Sequence, residues 1–217
     1  MDDACICRAV HGPGNLMSGQ QEGTDQIMMD LKAVIDAERK RYCVAAGGGV
    51  SLPVAGALYW AVMGVLGLYL EPAQWAIAAA AGSGLIFPLG ILLQAPMRSP
   101  FMKAKSPLSG VTMAAITAIN LLWPIHVLLI GGFPEAAPLT LAIGMSLHWP
   151  IIGWAYASRV SLVHALVRVA AVTVIWYGFP DLRLTGIPFV VAGLYLFAAA
   201  GLRWEVLRFR RAMAGTV

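Results

Sequence analysis

The chain has 217 residues, of which 59% are hydrophobic and 12% charged, whereas a soluble domain carries about 25% charged residues. This composition excludes an ordinary water-soluble domain and points to an all-α polytopic transmembrane bundle. The pI near 9.2 does not call for nucleic acid, because the basic residues sit beside apolar runs, where anionic membrane lipids are their natural partners.

Residues 1–23 mix glycine, polar residues and scattered charge without periodicity, so they read as a disordered tail or an overextended gene start. They lack the apolar stretch of a cleavable signal peptide. Cys5, Cys7 and His11 make a poor metal site, since a fourth ligand and the usual spacing are missing. With Cys43, these thiols belong to the expected cytoplasmic side, where they stay reduced. Residues 24–43 form an expected cytoplasmic amphipathic helix, with Ile27, Leu31, Val34 and Ile35 at helical spacing. It suits an interfacial anchor, or a docking site for a partner.

From 44 to 202 six apolar runs follow, at about 44–70, 73–95, 110–130, 136–156, 161–178 and 184–202. Each is near the roughly 20 residues that cross a bilayer core. The first is too long for one straight helix, so its span is expected to start near Val50, after Gly47-Gly48-Gly49. Thirteen of the 15 Lys and Arg residues fall before run 1, between runs 2 and 3, between runs 4 and 5, or in the basic tail 203–217. Retention of positive charge in the cytoplasm then places both termini inside, N-in/C-in.

Two of the opposite turns are alike, Gly132-Phe133-Pro134-Glu135 and Gly178-Phe179-Pro180-Asp181. They hint at repeated hairpins, with Glu71-Pro72 as a degenerate third copy, although ordinary turn chemistry also yields them. Small residues crowd runs 1, 2 and 6, at Ala57 and Ala61, Ala78 to Gly82, and Ala198 to Gly201. Such faces bring helices close. The neighbour is in this chain or in a second copy, which leaves a homo-oligomer open.

Arg168 lies about eight residues into run 5, too deep to reach water as Arg159 does. Insertion scales put arginine at mid-bilayer at about 2.5–3.5 kcal/mol, so it should face the bundle interior or a hydrated cavity. His164 is one turn away on the same face, and Asn120 and His148 lie at a similar depth. These four residues form the candidate ligand-binding cluster, for an anionic solute or lipid. Polar side chains also pin membrane helices together, which is the alternative role. Prolines interrupt three runs, at Pro88, Pro124 and Pro150. Each frees a carbonyl about one turn upstream, to line a site or merely shape packing. His126 is expected nearer the outer surface, in an interfacial belt. Gly82-Ser83-Gly84 is a weak protease-like feature with no supporting motif, and no phosphate-cradling glycine loop is present. Catalytic residues, metals and cofactors are therefore not expected, and an enzyme is the lesser reading.

Arg41-Tyr42 with the glycine-rich start of run 1, Leu85-Ile86-Phe87-Pro88-Leu89-Gly90 and Lys105-Ser106-Pro107-Leu108 resemble the bacterial membrane proteins grouped as domain of unknown function 7010. The resemblance covers about residues 38–202 and implies a bacterial inner-membrane setting. It carries no activity. Function is left between a transporter or channel-like protein for an anionic solute or lipid, a structural or regulatory membrane protein acting through a partner, and a lipid-modifying membrane enzyme.

Overall fold

A long helix, α1 (Gly14–Ala45), opens the chain in this computed structural model, which describes residues 14–215 except the side chains of 14–20 and 22. Most of the expected tail, with Cys5, Cys7 and His11, lies outside the described residues. The chain divides into two units, Met1–Ala37 and Glu38–Val217. In the first, Ile27, Leu31 and Val34 are all exposed, so the apolar stripe read from the sequence is uncovered.

In the second unit the chain leaves α1 through Gly47, Gly48 and Gly49, at φ of 59°, 69° and 61°. Three successive left-handed residues call for glycine, because a Cβ there meets the following carbonyl. Space requires it as well: a Cβ at Gly47 would lie 2.5 Å from the Arg98 carbonyl oxygen. α2 (Ser51–Leu66) starts directly after this turn, at the position expected.

The three internal prolines each break a helix one turn upstream, where the lost amide and the ring clash fall. α3 (Pro72–Ser83) bends by 43° into α4 (Ile86–Leu92) ahead of Pro88. α5 (Ser109–Asn120) gives way to α6 (Trp123–Gly132), and α7 (Ala137–Gly144) to α8 (Trp149–Ala155). The joints tighten to three-residue hydrogen bonds, such as Leu122 N–H to the Ile119 carbonyl at 3.2 Å and Trp149 N–H to the Ser146 carbonyl at 3.0 Å. The second of these joints sets His148 at the head of α8.

α9 (Arg159–Gly178) and α10 (Gly186–Ala214) complete the bundle, and α10 packs on both α2 and α9. The matched turns before α7 and α10 share one backbone form, with Phe133 at φ −144°, ψ 64° and Phe179 at φ −140°, ψ 71°. A residue before proline is driven out of the helical region, which explains both. The Glu71-Pro72 turn is different. Glu71 is extended and exchanges capping bonds with Gln74.

Among the described residues, five helical stretches are long and apolar enough to cross a membrane, Gly47–Leu66, Ser109–Gly132, Pro134–Ala155, Arg159–Gly178 and Gly186–Ala214. The bent pair α3 and α4 makes a sixth when taken as one span. The core is built on Trp60, Met63, Trp75, Leu141, Val172 and Ile187. Buried aromatics with polar tips find carbonyls: the Trp75 indole donates to Met63 at 2.9 Å and the Tyr59 hydroxyl to Ala79 at 2.7 Å. Ala57, Ala79 and Ala198 are buried inside this chain, as close-packed small residues should be.

The segments rich in cations meet at one end of the bundle. Arg41 holds Glu38 through two nitrogens, at 2.6 and 2.7 Å, and donates to the Lys105 carbonyl at 3.0 Å. Ser106 donates to Glu38 at 2.6 Å, Arg39 to the Trp154 carbonyl, and Ser99 to the Ala46 carbonyl at 3.3 Å. The Arg41 and Ser106 hydrogen bonds pull the Glu38 carboxyl down to about 2. Burial pushes the Cys43 thiol up to about 12, which makes it inert as a nucleophile.

Candidate functional site

Arg168 sits at the middle of α9 and is wholly buried, at 0% exposure. Its guanidinium lies over the Tyr195 ring of α10, 4.8 Å from the centroid, and over the Trp60 ring of α2 at 5.6 Å. Gly56 permits that arrangement: a Cβ there would stand 3.0 Å from Tyr195 Cζ, so only glycine lets the ring lie against α2. The remaining wall is aromatic. His164 stacks 4.2 Å from Trp149 and 5.1 Å from Tyr195, and His148 lies 5.9 Å from Trp149.

Hydrogen bonding at this centre is lopsided. Nε, Nη1 and Nη2 of Arg168 are all buried without a partner, and so are the indole nitrogens of Trp60 and Trp149. Arginine and tryptophan only donate. Nδ1 of His148 and Nε2 of His164 are also buried and unpartnered. Two cation–π contacts of about 2 kcal/mol each offset part of the burial of the charge. They supply no acceptor for the N–H groups, each of which goes unsatisfied at about 1–3 kcal/mol. The donors dominate the balance. The two imidazole nitrogens, acceptors at most, leave the centre short of acceptors for five donor atoms.

Beside it lies a cavity of about 350 Å³. His148, Trp149 and Ser161 form its inner wall, and Tyr42, Gly49 and Thr112 stand among its other lining residues. Trp149 therefore lines the cavity and also packs on His164 and Tyr195 of the Arg168 cluster.

Of the four residues expected to cluster, the structure brings together His148, His164 and Arg168. It does not bring Asn120. That side chain is exposed on the outer face of α5 and donates to the Ile116 carbonyl of its own helix at 2.8 Å. Equal depth did not mean equal facing, because a helix end turned by Pro124 points its last residue outward. His126 also departs from expectation. It is buried between α6 and α7, with Gly144 so close that a Cβ would lie 2.6 Å from Nε2. The Ser83 hydroxyl donates to the Ala80 carbonyl of its own helix at 2.7 Å.

Four residues escaped the sequence reading, Trp60 among them as one aromatic in an apolar run. Trp149 was visible only as the partner of Pro150 in a helix break, and Tyr195 as one aromatic in an apolar run. Glu205 was counted with the basic tail. α10 runs unbroken past residue 202, and Glu205 is buried at 6% exposure, accepting from the backbone N–H groups of Arg159 at 3.1 Å and Val160 at 3.3 Å. The signal was there: Leu202, Val206 and Phe209 continue the apolar stripe at helical spacing.

No curated protein and no solved structure matches the chain. The model of one family, described as a family of unknown function (DUF7010), matches residues 35–205. Those residues hold α2 to α9 and most of α10 and include every residue of the Arg168 centre, and the chain belongs to this family.

Proposed function

We propose that this protein is a transporter or channel-like protein of the bacterial cytoplasmic membrane that handles an anionic solute or an anionic lipid at Arg168. One observation carries the reading: a fully buried guanidinium, set against the rings of Trp60 and Tyr195, presents donors and meets no acceptor. An oxyanion supplies several lone pairs at one point and takes charge-assisted bonds from such a set. The neighbouring cavity gives the ligand a route, and Trp149, which lines it and packs on His164 and Tyr195, is the proposed barrier to be swung aside.

The proposed orientation is N-in/C-in. It is supported by the charge pattern of the sequence and by the gathering of Arg39, Arg41, Lys105 and Arg159 at one end of the bundle.

The test is native mass spectrometry in mild detergent, with and without added phosphate or small carboxylates, on wild type and Arg168→Leu. Wild type is expected to retain an anion that Arg168→Leu does not, and to gain thermal stability as that anion is titrated. Equal retention by both proteins, or an equal shift in melting, overturns the Arg168 site and leaves a packing role. A membrane-impermeant thiol reagent applied to intact cells checks the orientation. Glu135→Cys should react and Arg211→Cys should not.

A further inference from the structure

The cavity beside the Arg168 centre has a second outlet. Phe87, Met102 and Met113 all line it, and all are exposed, at 47%, 57% and 61%. The cavity therefore opens sideways, onto the apolar outside of the bundle, between α4 and α5. α5 belongs to the least covered of the spans, with 11% of its apolar window buried against 56% for Gly47–Leu66. Two polar groups of the lining are engaged with protein: Thr112 donates to the Ser109 carbonyl at 2.8 Å and lies 3.4 Å from the Tyr42 hydroxyl, while Ser161 bonds Ser158 at 3.1 Å; Nδ1 of His148 and the Trp149 indole nitrogen are buried rather than presented at the surface. What faces the space is hydrocarbon, from Leu52, Pro53, Ile116, Ile152 and Leu202. Along the rim, Met102 and Ala104 turn into the cavity while Lys103 and Lys105 stay exposed.

We infer that this is a binding site for one anionic membrane lipid, its acyl chain entering between α4 and α5 and its headgroup held by Lys103 and Lys105. The volume lies within the range of about 300–1,000 Å³ typical of small-molecule sites. An apolar chamber with an apolar side mouth suits a hydrocarbon chain, and a cationic rim at the same mouth suits a negative headgroup. The site does not depend on Arg168 binding an anion. Nothing in the lining is contributed by that residue.

The test places the full chain in phosphatidylcholine vesicles doped with a photoactivatable phosphatidylglycerol or, separately, a photoactivatable phosphatidylcholine carrying the same acyl label. Irradiation should attach the glycerol lipid to peptides holding Met102 and Met113, about tenfold more than the choline lipid, given two lysines near the surface. The double variant Lys103→Gln with Lys105→Gln should erase that preference while leaving the total label. Met113→Trp, at an exposed position on the mouth, should reduce the label, and Arg168→Leu should leave it unchanged. Labelling spread evenly over outward residues such as Leu128 and Phe197 would overturn the site, and so would equal capture of both lipids by wild type. Crosslinks between two copies of the chain at Met113 would overturn it in favour of a homo-oligomer contact.

Discussion

Glu205 and Arg168 are both charged, both buried and carried on helices that pack together, yet the protein treats them in opposite ways. One Glu205 oxygen receives the N–H groups of Arg159 and Val160 at the start of α9, where the helix dipole is positive and Ser158 adds a cap, while its other oxygen is buried without a partner. Arg168, farther along the same helix, has aromatic faces and no acceptor. A charge answered by backbone is part of the scaffold. One answered only by rings is, on the proposed function, left for a ligand.

The largest effect should come from Glu205→Ala, which strips two charge-assisted bonds from α9 and leaves its first amides buried. The loss is about 3 kcal/mol, read by denaturant unfolding in detergent, with Glu205→Gln recovering more than half. Arg168→Leu should move stability the other way when no anion is added. Replacing a buried, unpaired charge with hydrocarbon of similar volume gains about 1–2 kcal/mol. If both variants lose stability alike, the contrast between the two charges fails, and Arg168 belongs to the scaffold as well.

A smaller gain, about 1 kcal/mol, is expected from Ala157→Gly in the turn that leads into α9. Ala157 has φ of 50°, and Ser158 N–H reaches back to the Gly153 carbonyl at 2.8 Å, a helix ending that favours glycine. The thermal midpoint of the variant measures it. The smallest effect concerns pH. The carboxyl of Glu38 has its folded value lowered from 4.5 to about 2, so the clasp on Ser106 is fully formed above 4.5 and fades as pH falls through about 2. Hydrogen-exchange protection at residues 104–108, taken relative to the intrinsic rate at each pH, should stay high at pH 5 and fall between pH 4 and pH 2, with Glu38→Gln low throughout.

The sequence was most legible where hydrophobicity and backbone chemistry act locally. Apolar run lengths gave the helices, Pro88, Pro124 and Pro150 gave their breaks, and Gly47-Gly48-Gly49 gave the start of α2. The number of spans, five or six, rests on whether the bent α3 and α4 cross as one. Position along the helices was informative too, and Arg168, His164 and His148 do lie together. Facing was not, because it depends on how each helix is rotated by its neighbours. Asn120 therefore turned outward and His126 turned inward. Glu205 was hidden by its company: surrounded by Arg203, Arg208, Arg210 and Arg211, it looked like tail, although α10 was still packing against the core.

The left-handed glycine turn at 47–49 also has a mechanical meaning. A Cβ at Gly47 would lie 2.5 Å from the Arg98 carbonyl oxygen and one at Gly48 3.0 Å from Val206, and all three residues hold a positive φ that other residues rarely adopt. The link between the end of α1 and the start of α2 is short and without slack. A push or twist on residues 38–45 is thus delivered to α2, the helix whose Trp60 covers Arg168, instead of being dissipated in a loop.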